Sequence, residues 1–237
     1  MQERERLQEV GQRCGVPLGE DALERLERFL RALSEAATKM NLTGFDEQRR
    51  LENGVAGALA LWPLVGEARR IVDIGSGNGF PGVVWASVAQ ERTFVFIESR
   101  QRRGSFLEDV VSHLGLRARV LVDRAENVGR GSLRESFDVG VARAVGSVAY
   151  TSELGLPLLR TGGRLILPKG PSQRDEVDQG APLIEALGGR ARVEAEPSPM
   201  GNERRGFVCI VDKLASTPRA YPRSGRRLGR VEMGRRG

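Results

Sequence analysis

The chain has 237 residues, a formal net charge of +6 and only 5% aromatic residues, so its core must depend on Leu, Val, Ile and Ala. This length suits one α/β domain with a helical appendage. The sequence contains no apolar run of the roughly 18 residues that a membrane helix needs, and its N-terminus lacks a signal-peptide pattern. We therefore expect a cytoplasmic protein that makes no membrane contact.

The cysteines and the basic charge exclude some kinds of site and leave others open. Cys14 and Cys209 are isolated, without a Cys-x-x-Cys pattern or a His at zinc-binding spacing. We therefore expect neither a disulfide nor a metal site. Only three of the 37 basic residues are lysines. Arginine binds phosphate through paired hydrogen bonds and stacks on bases, which is compatible with RNA, although codon bias produces the same excess.

The first part of the chain has the periodicity of amphipathic helices. Apolar residues recur at helical spacing from Leu7 to Leu33, with Glu and Arg on the opposite face. Asn41-Leu42-Thr43 interrupts this pattern before a further predicted helix at about 46–62. We predict that residues 1–64 form a helical cap.

From residue 70 onwards, strand and helix patterns alternate. The predicted strands are 70–74, 93–98, 118–122, 137–142, 164–168, 190–195 and 206–212, and the predicted helices are 82–90, 101–114, 147–160 and 173–188. Such alternation indicates a parallel sheet with helices on both faces. No helix separates the last two strands, so they should form an antiparallel hairpin. We predict an α/β domain over residues 65–215, with a doubly wound, mainly parallel seven-stranded sheet and a C-terminal hairpin.

The first predicted strand of this domain runs into a turn that contains Gly75, Gly77 and Gly79. Glycines at a strand-to-helix turn permit positive φ angles and allow a ligand to approach the backbone closely. The next strand ends in Glu98, nineteen residues after Gly79, where an acid can bind ribose hydroxyl groups. Dinucleotides and S-adenosylmethionine are both ligands of this layout.

Asp73 distinguishes the two ligands. It stands two residues before the first glycine and completes the pattern D-x-G-x-G-x-G, which resembles the signature of S-adenosylmethionine-dependent methyltransferases. An acid here would repel a pyrophosphate, whereas the sulfonium and amino groups of S-adenosylmethionine are cationic. A tight turn in an unrelated α/β domain is the structural alternative. A nicotinamide-dependent oxidoreductase is disfavoured by the glycine spacing and by the terminal hairpin.

Three further strands end in residues that carry candidate functions. Ala125 and Glu126 follow the third strand, where they either contact an adenine or cap a surface helix. Arg143 leaves the fourth strand between small apolar residues and can pair with the carboxylate of the donor or with an RNA phosphate. Lys169 follows the fifth strand at the same edge.

Residues 216–237 form a tail that is rich in Arg, Gly and Pro, with seven arginines and a single acid. This composition is typical of a flexible or loop-like arm that contacts phosphate, and a tail without a role is the alternative. The predicted RNA contacts are Arg143, Lys169, Arg223, Arg226 and Arg227.

Taken together, the motifs resemble one family, the 16S ribosomal RNA guanine-N7 methyltransferases, also called glucose-inhibited division protein B. The segments that carry the resemblance are Asn41-Leu42-Thr43, 72–82 with Gly79-Phe80-Pro81-Gly82, Glu98-Ser99, Arg102-Arg103, Phe106-Leu107, Arg124-Ala125-Glu126, Ala142-Arg143-Ala144, Lys169-Gly170 and Tyr221-Pro222-Arg223.

The resemblance implies a Rossmann-like class I methyltransferase that uses S-adenosyl-L-methionine. Its partner would be 16S ribosomal RNA or the assembling small ribosomal subunit, and we expect a monomer. Carried over by position, the donor-binding residues of the family are Gly75, Phe80, Ala125, Glu126 and Arg143. The expected reaction leaves no role for a dedicated catalytic base, since guanine N7 carries no proton to remove.

One segment departs from the pattern of the family. Members usually carry Arg-His-x-x-Asp-Ser before the first strand, whereas this chain reads Leu51-Glu52-Asn53-Gly54-Val55-Ala56-Gly57-Ala58. The usual His and Asp are absent from this segment. A non-enzymatic ribosomal RNA-binding protein derived from the same fold is therefore the alternative to a methyltransferase.

Overall fold

The computed structural model describes residues 3–40, 50–197 and 206–223. Its α-helices are α1 (Glu3–Arg13), α2 (Glu20–Met40), α3 (Gly57–Leu61), α4 (Gly82–Val88), α5 (Gln101–Leu114), α6 (Ala125–Val128), α7 (Val148–Gly155) and α8 (Asp175–Ala186). Its strands are β1 (Arg70–Ile74), β2 (Thr93–Ile97), β3 (Ala118–Leu121), β4 (Phe137–Val141), β5 (Leu159–Lys169), β6 (Gly189–Ala195) and β7 (Phe207–Lys213). A π-helical segment, Arg50–Ala56, precedes α3, and 3₁₀ turns cover Trp62–Val65, Leu156–Leu158 and Pro171–Gln173.

The seven strands form one sheet in the order β3-β2-β1-β4-β5-β7-β6. β2 pairs in parallel with β3, and β4 pairs in parallel with β1 and β5. β7 is antiparallel to both β5 and β6, which confirms the predicted hairpin. β4 is parallel to both of its neighbours, and its residues are mainly apolar and buried, as such a strand requires. The predicted Rossmann-like, mainly parallel α/β fold is confirmed.

β5 begins earlier than predicted. It starts at Leu159 instead of residue 164, because the intervening residues continue as extended chain beside β4 with a register shift between Phe137 and Val139. Gly162 and Gly163 resemble a turn in the sequence, yet they lie within the strand. A Cβ at Gly163 would lie 2.7 Å from the carbonyl oxygen of Asp138. Glycine therefore marks a close backbone approach at this position.

The described chain divides into two compact units. The first contains residues 3–40, 50–69, 76–122 and 197, and the second contains 70–75, 123–196 and 206–223. The predicted boundaries at 64/65 and 215/216 remain a prediction. The predicted break at Asn41-Leu42-Thr43 lies outside the described residues. None of the described helices has the length and apolar character needed to cross a membrane.

Each unit has its own apolar core. In the first unit, the apolar stripe of α2 is buried, including Leu23, Leu26 and Phe29, as its periodicity predicts. In the second unit, Leu165 of β5 and Ile210 of β7 are fully buried. Burial of one such side chain contributes roughly 1.5–3 kcal/mol relative to exposure.

A lysine at the end of β7 lies inside the second unit. The side chain of Lys213 is 0% exposed, and its Nζ lies 3.7 Å from a carboxylate oxygen of Glu135. The same Nζ donates hydrogen bonds to the carbonyl oxygen of Leu156, at 2.9 Å, and to the hydroxyl oxygen of Thr217. Burial lowers the pKa of Lys213 to about 8, although the carboxylate of Glu135 opposes this shift.

We expect Lys213 to make the folding stability depend on pH. Its folded pKa, about 8, lies below the ordinary value of 10.5, so the unfolded chain binds more protons between these values. The free energy of unfolding should therefore rise with pH across that window, by at most about 3 kcal/mol. Denaturant unfolding at about pH 7 and about pH 10 should show the wild type gaining stability relative to Lys213→Met. A difference between the two proteins that stays constant with pH would contradict this expectation.

Candidate functional site

The glycine turn after β1 adopts a backbone shape that favours glycine. The φ angles of Gly75, Gly77 and Gly79 are 69°, 53° and 92°, within the left-handed region. In the first unit, a Cβ at Gly79 would lie 2.7 Å from Val83 and 3.0 Å from the ring of Phe29. The turn is thus held in a narrow space, and its backbone rather than side chains is available to a ligand.

Glu98 follows β2 and holds this turn in place. The residue is buried, at 5% exposure. Oε2 accepts a hydrogen bond from the backbone N–H of Gly77 at 3.0 Å, and Oε1 accepts one from the backbone N–H of Arg100 at 2.8 Å. The two bonds fix the orientation of the carboxylate, while each oxygen keeps a lone pair for another donor. A ligand with vicinal hydroxyl groups fits this arrangement.

Phe80 follows the turn and packs in the apolar part of the first unit. Its ring meets that of Phe29 edge to face, with centroids 5.2 Å apart and an interplanar angle of 63°. A Cβ at Gly54 would lie 2.7 Å from the ring of Phe80. The segment that departs from the pattern of the family therefore supplies a glycine against which Phe80 packs closely.

In the second unit, the parallel strands β1, β4 and β5 end at a common edge. Asp73 of β1 is 1% exposed. Arg143, after β4, is half-buried, and burial lowers the pKa of its guanidinium, whereas the carboxylates of Glu196 and Asp73 oppose that shift. A partly desolvated cation of this kind is suited to binding an anion. No local sequence signal identified Glu196, which follows β6.

The loop after Arg143 is held by a buried lysine and its ion pair with Glu176. Lys169 is 8% exposed, and its Nζ donates a hydrogen bond to the carbonyl oxygen of Gly146 and lies 3.6 Å from Glu176. Glu176 in turn accepts a hydrogen bond from the backbone N–H of Val148 at 2.9 Å. Sequence reasoning placed Lys169 against the donor or RNA and did not single out Glu176. The polar contacts of Lys169 indicate that it supports the Arg143 loop.

We expect Lys169→Met to weaken the binding of S-adenosylmethionine about tenfold, which corresponds to about 1.4 kcal/mol. The substitution leaves the partly buried Glu176 carboxylate without its ammonium partner and releases the carbonyl of Gly146. Isothermal titration of the purified protein provides the measurement. Arg160→Met is the matched control, because its 55% exposed side chain pairs with Asp138 at the surface. Equal affinities for the two variants would contradict the supporting role.

The predicted adenine contacts begin a single helical turn. Ala125 and Glu126, the first residues of α6, are 8% and 4% exposed. The guanidinium of Arg124 pairs with the carboxylate of Glu126. The backbone at the start of α6 is therefore the part that can recognise the edge of an adenine ring. The assignment of an adenine to these residues stays a prediction.

Of the predicted RNA contacts in the tail, Arg223 alone lies within the described residues. Its guanidinium pairs with Glu153, whose side chain is 0% exposed. Its backbone N–H also donates a hydrogen bond to Glu153 at 2.7 Å. Arg226 and Arg227 lie outside the described residues. Arg223 is therefore bound to the protein through both its main chain and its side chain.

Neither a metal site nor a reactive thiol is found among the residues that the structure describes. Within the described ranges, no cluster of three or more His, Cys, Asp or Glu side chains is arranged to hold a metal ion. Burial raises the pKa of the thiols of Cys14 and Cys209 to about 11. Both cysteines are therefore poor nucleophiles at neutral pH.

Comparison of sequences identifies the family. Residues 22–194 match the family model GidB, described as rRNA small subunit methyltransferase G. A relative from Roseiflexus castenholzii, named ribosomal RNA small subunit methyltransferase G, is 38% identical over 219 residues, which cover 89% of this chain and 91% of the relative. A relative of the same name from Syntrophomonas wolfei is 42% identical over 155 residues, which cover 65% of this chain and 72% of the relative.

Comparison with solved structures gives the same fold. A methyltransferase from Geobacter sulfurreducens has a TM-score of 0.55 at 18% identity, covering 79% of this chain and 89% of that chain. A SAM-dependent O-methyltransferase from Thermotoga maritima has a TM-score of 0.51 at 18% identity, covering 79% of this chain and 72% of that chain. The predicted fold class is confirmed, and it is a fold on which S-adenosylmethionine-dependent enzymes are built. From its sequence matches, the chain belongs to the rRNA small subunit methyltransferase G family.

Proposed function

We propose that this protein transfers the methyl group of S-adenosyl-L-methionine to N7 of a guanine in 16S ribosomal RNA. Membership of the family supports ribosomal RNA as the substrate. One observation carries the assignment of the donor. It is Glu98, a buried carboxylate at the end of β2 that holds Gly77 of the glycine turn and retains acceptor capacity for hydroxyl groups.

The residues present fit the proposed donor part by part. Glu98 accepts hydrogen bonds from the ribose hydroxyls, and the backbone from Gly75 to Phe80 follows the methionine portion. Asp73 adds a negative charge suited to the cationic groups of the donor. Ala125 and Glu126 contact the adenine. The narrow turn supports this assignment, because a Cβ at Gly75 would lie 2.7 Å from Val145.

Arg143 completes the proposed donor contacts. Its guanidinium binds the carboxylate of the methionine portion, since a partly buried arginine forms strong paired hydrogen bonds with carboxylates. The carboxylates of Glu196 and Asp73 help to keep Arg143 charged for this purpose. Arg226 and Arg227 of the tail contact RNA phosphates.

The chemistry needs positioning more than proton transfer. When bound, the donor would supply an electrophilic methyl carbon to guanine N7, and S-adenosylhomocysteine would be the leaving product. N7 presents an in-plane lone pair without a proton, so the protein needs no general base. Its residues act by holding donor and base in line, which is a large source of acceleration in reactions of two bound partners.

A second candidate function is ribosomal RNA binding without catalysis. The altered segment, residues 52–58, motivates this alternative, because the His and Asp that are usual in the family are missing there. In that case RNA binding would survive Glu98→Gln, and no methyl group would reach the RNA.

Mapping N7-methylguanine in 16S ribosomal RNA from cells with and without the protein tests the proposal. We expect one guanine to lose its methyl group when the protein is absent. The wild-type chain should restore the modification, and Glu98→Gln should not. An unchanged set of N7-methylguanines would exclude the proposed reaction, and restoration by Glu98→Gln would exclude the proposed donor contact.

A further inference from the structure

After β7, the chain continues as a segment bound to the second unit along its length, residues 214–223, which we name the strap. Near its start, the backbone N–H of Thr217 donates to Glu135 at 2.9 Å, and the hydroxyl of Thr217 donates to the carbonyl oxygen of Leu187 at 2.8 Å. At its end, Arg223 binds the buried carboxylate of Glu153. The strap is therefore an integral part of the unit.

A single arginine joins the strap to the end of α6. Nη1 of Arg134 donates to the carbonyl oxygens of Gly129, at 3.0 Å, and Tyr221, at 2.9 Å. Nη2 donates to those of Thr217, at 2.6 Å, and Pro218, at 3.2 Å. The planar guanidinium presents its donors in a fixed fork, so it bridges the two segments in one geometry.

Gly129 is the residue that ends α6. Its backbone N–H donates to the carbonyl oxygen of Ala125 at 2.9 Å, so it closes the helical turn on which Ala125 and Glu126 lie. The buried Pro222 of the strap packs against Gly129. A Cβ at Gly129 would lie 3.5 Å from the ring of Pro222. Arg130 adds a hydrogen bond to the carbonyl oxygen of Pro222 at 2.6 Å.

α6 has few means of holding its own shape. It is four residues long, and helices of one turn are unstable in isolation, because nucleation costs more than a single turn returns. Its geometry must therefore come from the groups that contact it. Arg134 and the strap contact it at its C-terminal end, opposite the end where the adenine contacts are proposed.

We propose that Arg134 is a positioning residue of the donor site, which uses the strap to hold α6 where Ala125 and Glu126 meet the adenine. This inference rests on the proposed function. In this proposal, the C-terminal chain has two parts with different roles, and Arg223 is the last residue of the first part. The strap serves the methyl donor, and the arm of residues 224–237, with five arginines and one acid, serves the RNA.

Substitution of Arg134 by Lys tests the proposal, because lysine keeps the charge but cannot reach four carbonyls in a fixed fork. We expect the Kd for S-adenosylhomocysteine, a donor analogue without the reactive methyl, and the KM for the donor both to rise about tenfold. The kcat at saturating donor and the Kd for 16S ribosomal RNA should stay within about twofold. Arg160→Lys, at an exposed arginine of the same unit, should change none of these quantities.

Two further variants keep the test decisive if Arg134→Lys folds poorly. Glu153→Gln weakens the hold on Arg223 at the far end of the strap and should shift donor affinity in the same direction. A chain ended after Arg223 should bind S-adenosylhomocysteine as the wild type does. Its RNA affinity should depend less on salt, with a slope smaller by about 3 to 4, because each of five arginines contributes roughly 0.7.

The outcomes separate the two proposals. If the wild type binds S-adenosylhomocysteine and methylates RNA but Arg134→Lys and Glu153→Gln match it in donor affinity, the positioning role is wrong and the proposed function stands. A parallel loss of donor and RNA affinity in Arg134→Lys that retains the circular dichroism spectrum of the wild type would also reject a role confined to the donor site. A wild type that binds no donor analogue would overturn both proposals.

Discussion

Replacement of Glu98 by Gln is expected to weaken the binding of S-adenosylmethionine about a hundredfold. In the wild type, one carboxylate accepts hydrogen bonds from the backbone N–H groups of Gly77 and Arg100. An amide has one oxygen and one NH₂ group, so it cannot accept at both positions that the two carboxylate oxygens occupy. One N–H would then face another donor within a buried site, and the turn would lose its fixed position.

The same substitution also weakens the proposed contact with the ribose. Hydrogen bonds to a charged acceptor contribute about 1.5–3 kcal/mol each. The loss of about 3 kcal/mol in total corresponds to roughly a hundredfold in Kd. Isothermal titration with S-adenosylmethionine measures the effect. Glu91→Gln is the matched control, because the Glu91 side chain is 71% exposed and lies beside β2 in the same unit. Near-normal affinity in Glu98→Gln would remove Glu98 from the donor site.

Replacement of Arg143 by Ala should lower kcat/KM for the donor by about two to three orders of magnitude. The guanidinium is the proposed partner of the methionine carboxylate, and its removal leaves that carboxylate near Glu196 and Asp73, which stabilise a positive charge at this position. Like charges in a partly buried site repel strongly. Arg143→Lys should restore only part of the loss, since lysine supplies charge without the bidentate geometry.

Two binding measurements distinguish the roles that are open to Arg143. If it binds the donor, S-adenosylhomocysteine affinity falls in Arg143→Ala, whereas the affinity for 16S ribosomal RNA changes by less than about threefold. If RNA affinity falls and donor affinity does not, Arg143 contacts RNA phosphate instead. The second result would contradict the donor role given to Arg143 here.

The fold was largely predictable because its signals are local. β1, β2 and β4 are short, mainly apolar runs, and β1 and α5 have the predicted bounds. The start of β5 was missed because Gly162 and Gly163 have the composition of a turn. Their place in the strand depends on the backbone of the neighbouring β4 at Asp138, which a local pattern does not contain.

The candidate site was predictable in part, for a topological reason. Parallel strands place their carboxyl ends at one edge, so Glu98 and Arg143 could be selected without knowledge of any contact. Their partners could not be selected in this way. Glu196 lies far from Arg143 in sequence, and no motif marks it.

Charge alone does not show which acids the basic residues contact, and the assignment of Lys169 and Arg223 to RNA stays a prediction. Lys169 is buried against Glu176, and Arg223 binds Glu153, 70 residues earlier in the chain. The sequence displays the sign of a side chain but not the acid that folding brings to it. The same limit hid Arg134, whose four acceptors are backbone carbonyls, because main-chain acceptors leave no trace in a sequence.

Methyl transfer by the purified protein tests the central claim most directly. Labelled S-adenosylmethionine, unmodified 16S ribosomal RNA or small subunits carrying it, and the wild-type chain are incubated together, and the digested RNA is analysed for N7-methylguanine. We expect label in N7-methylguanine at a single position with the wild type, and very little with Glu98→Gln under the same conditions. Label on another atom, or none with the wild type on either form of the RNA, would contradict a guanine-N7 methyltransferase.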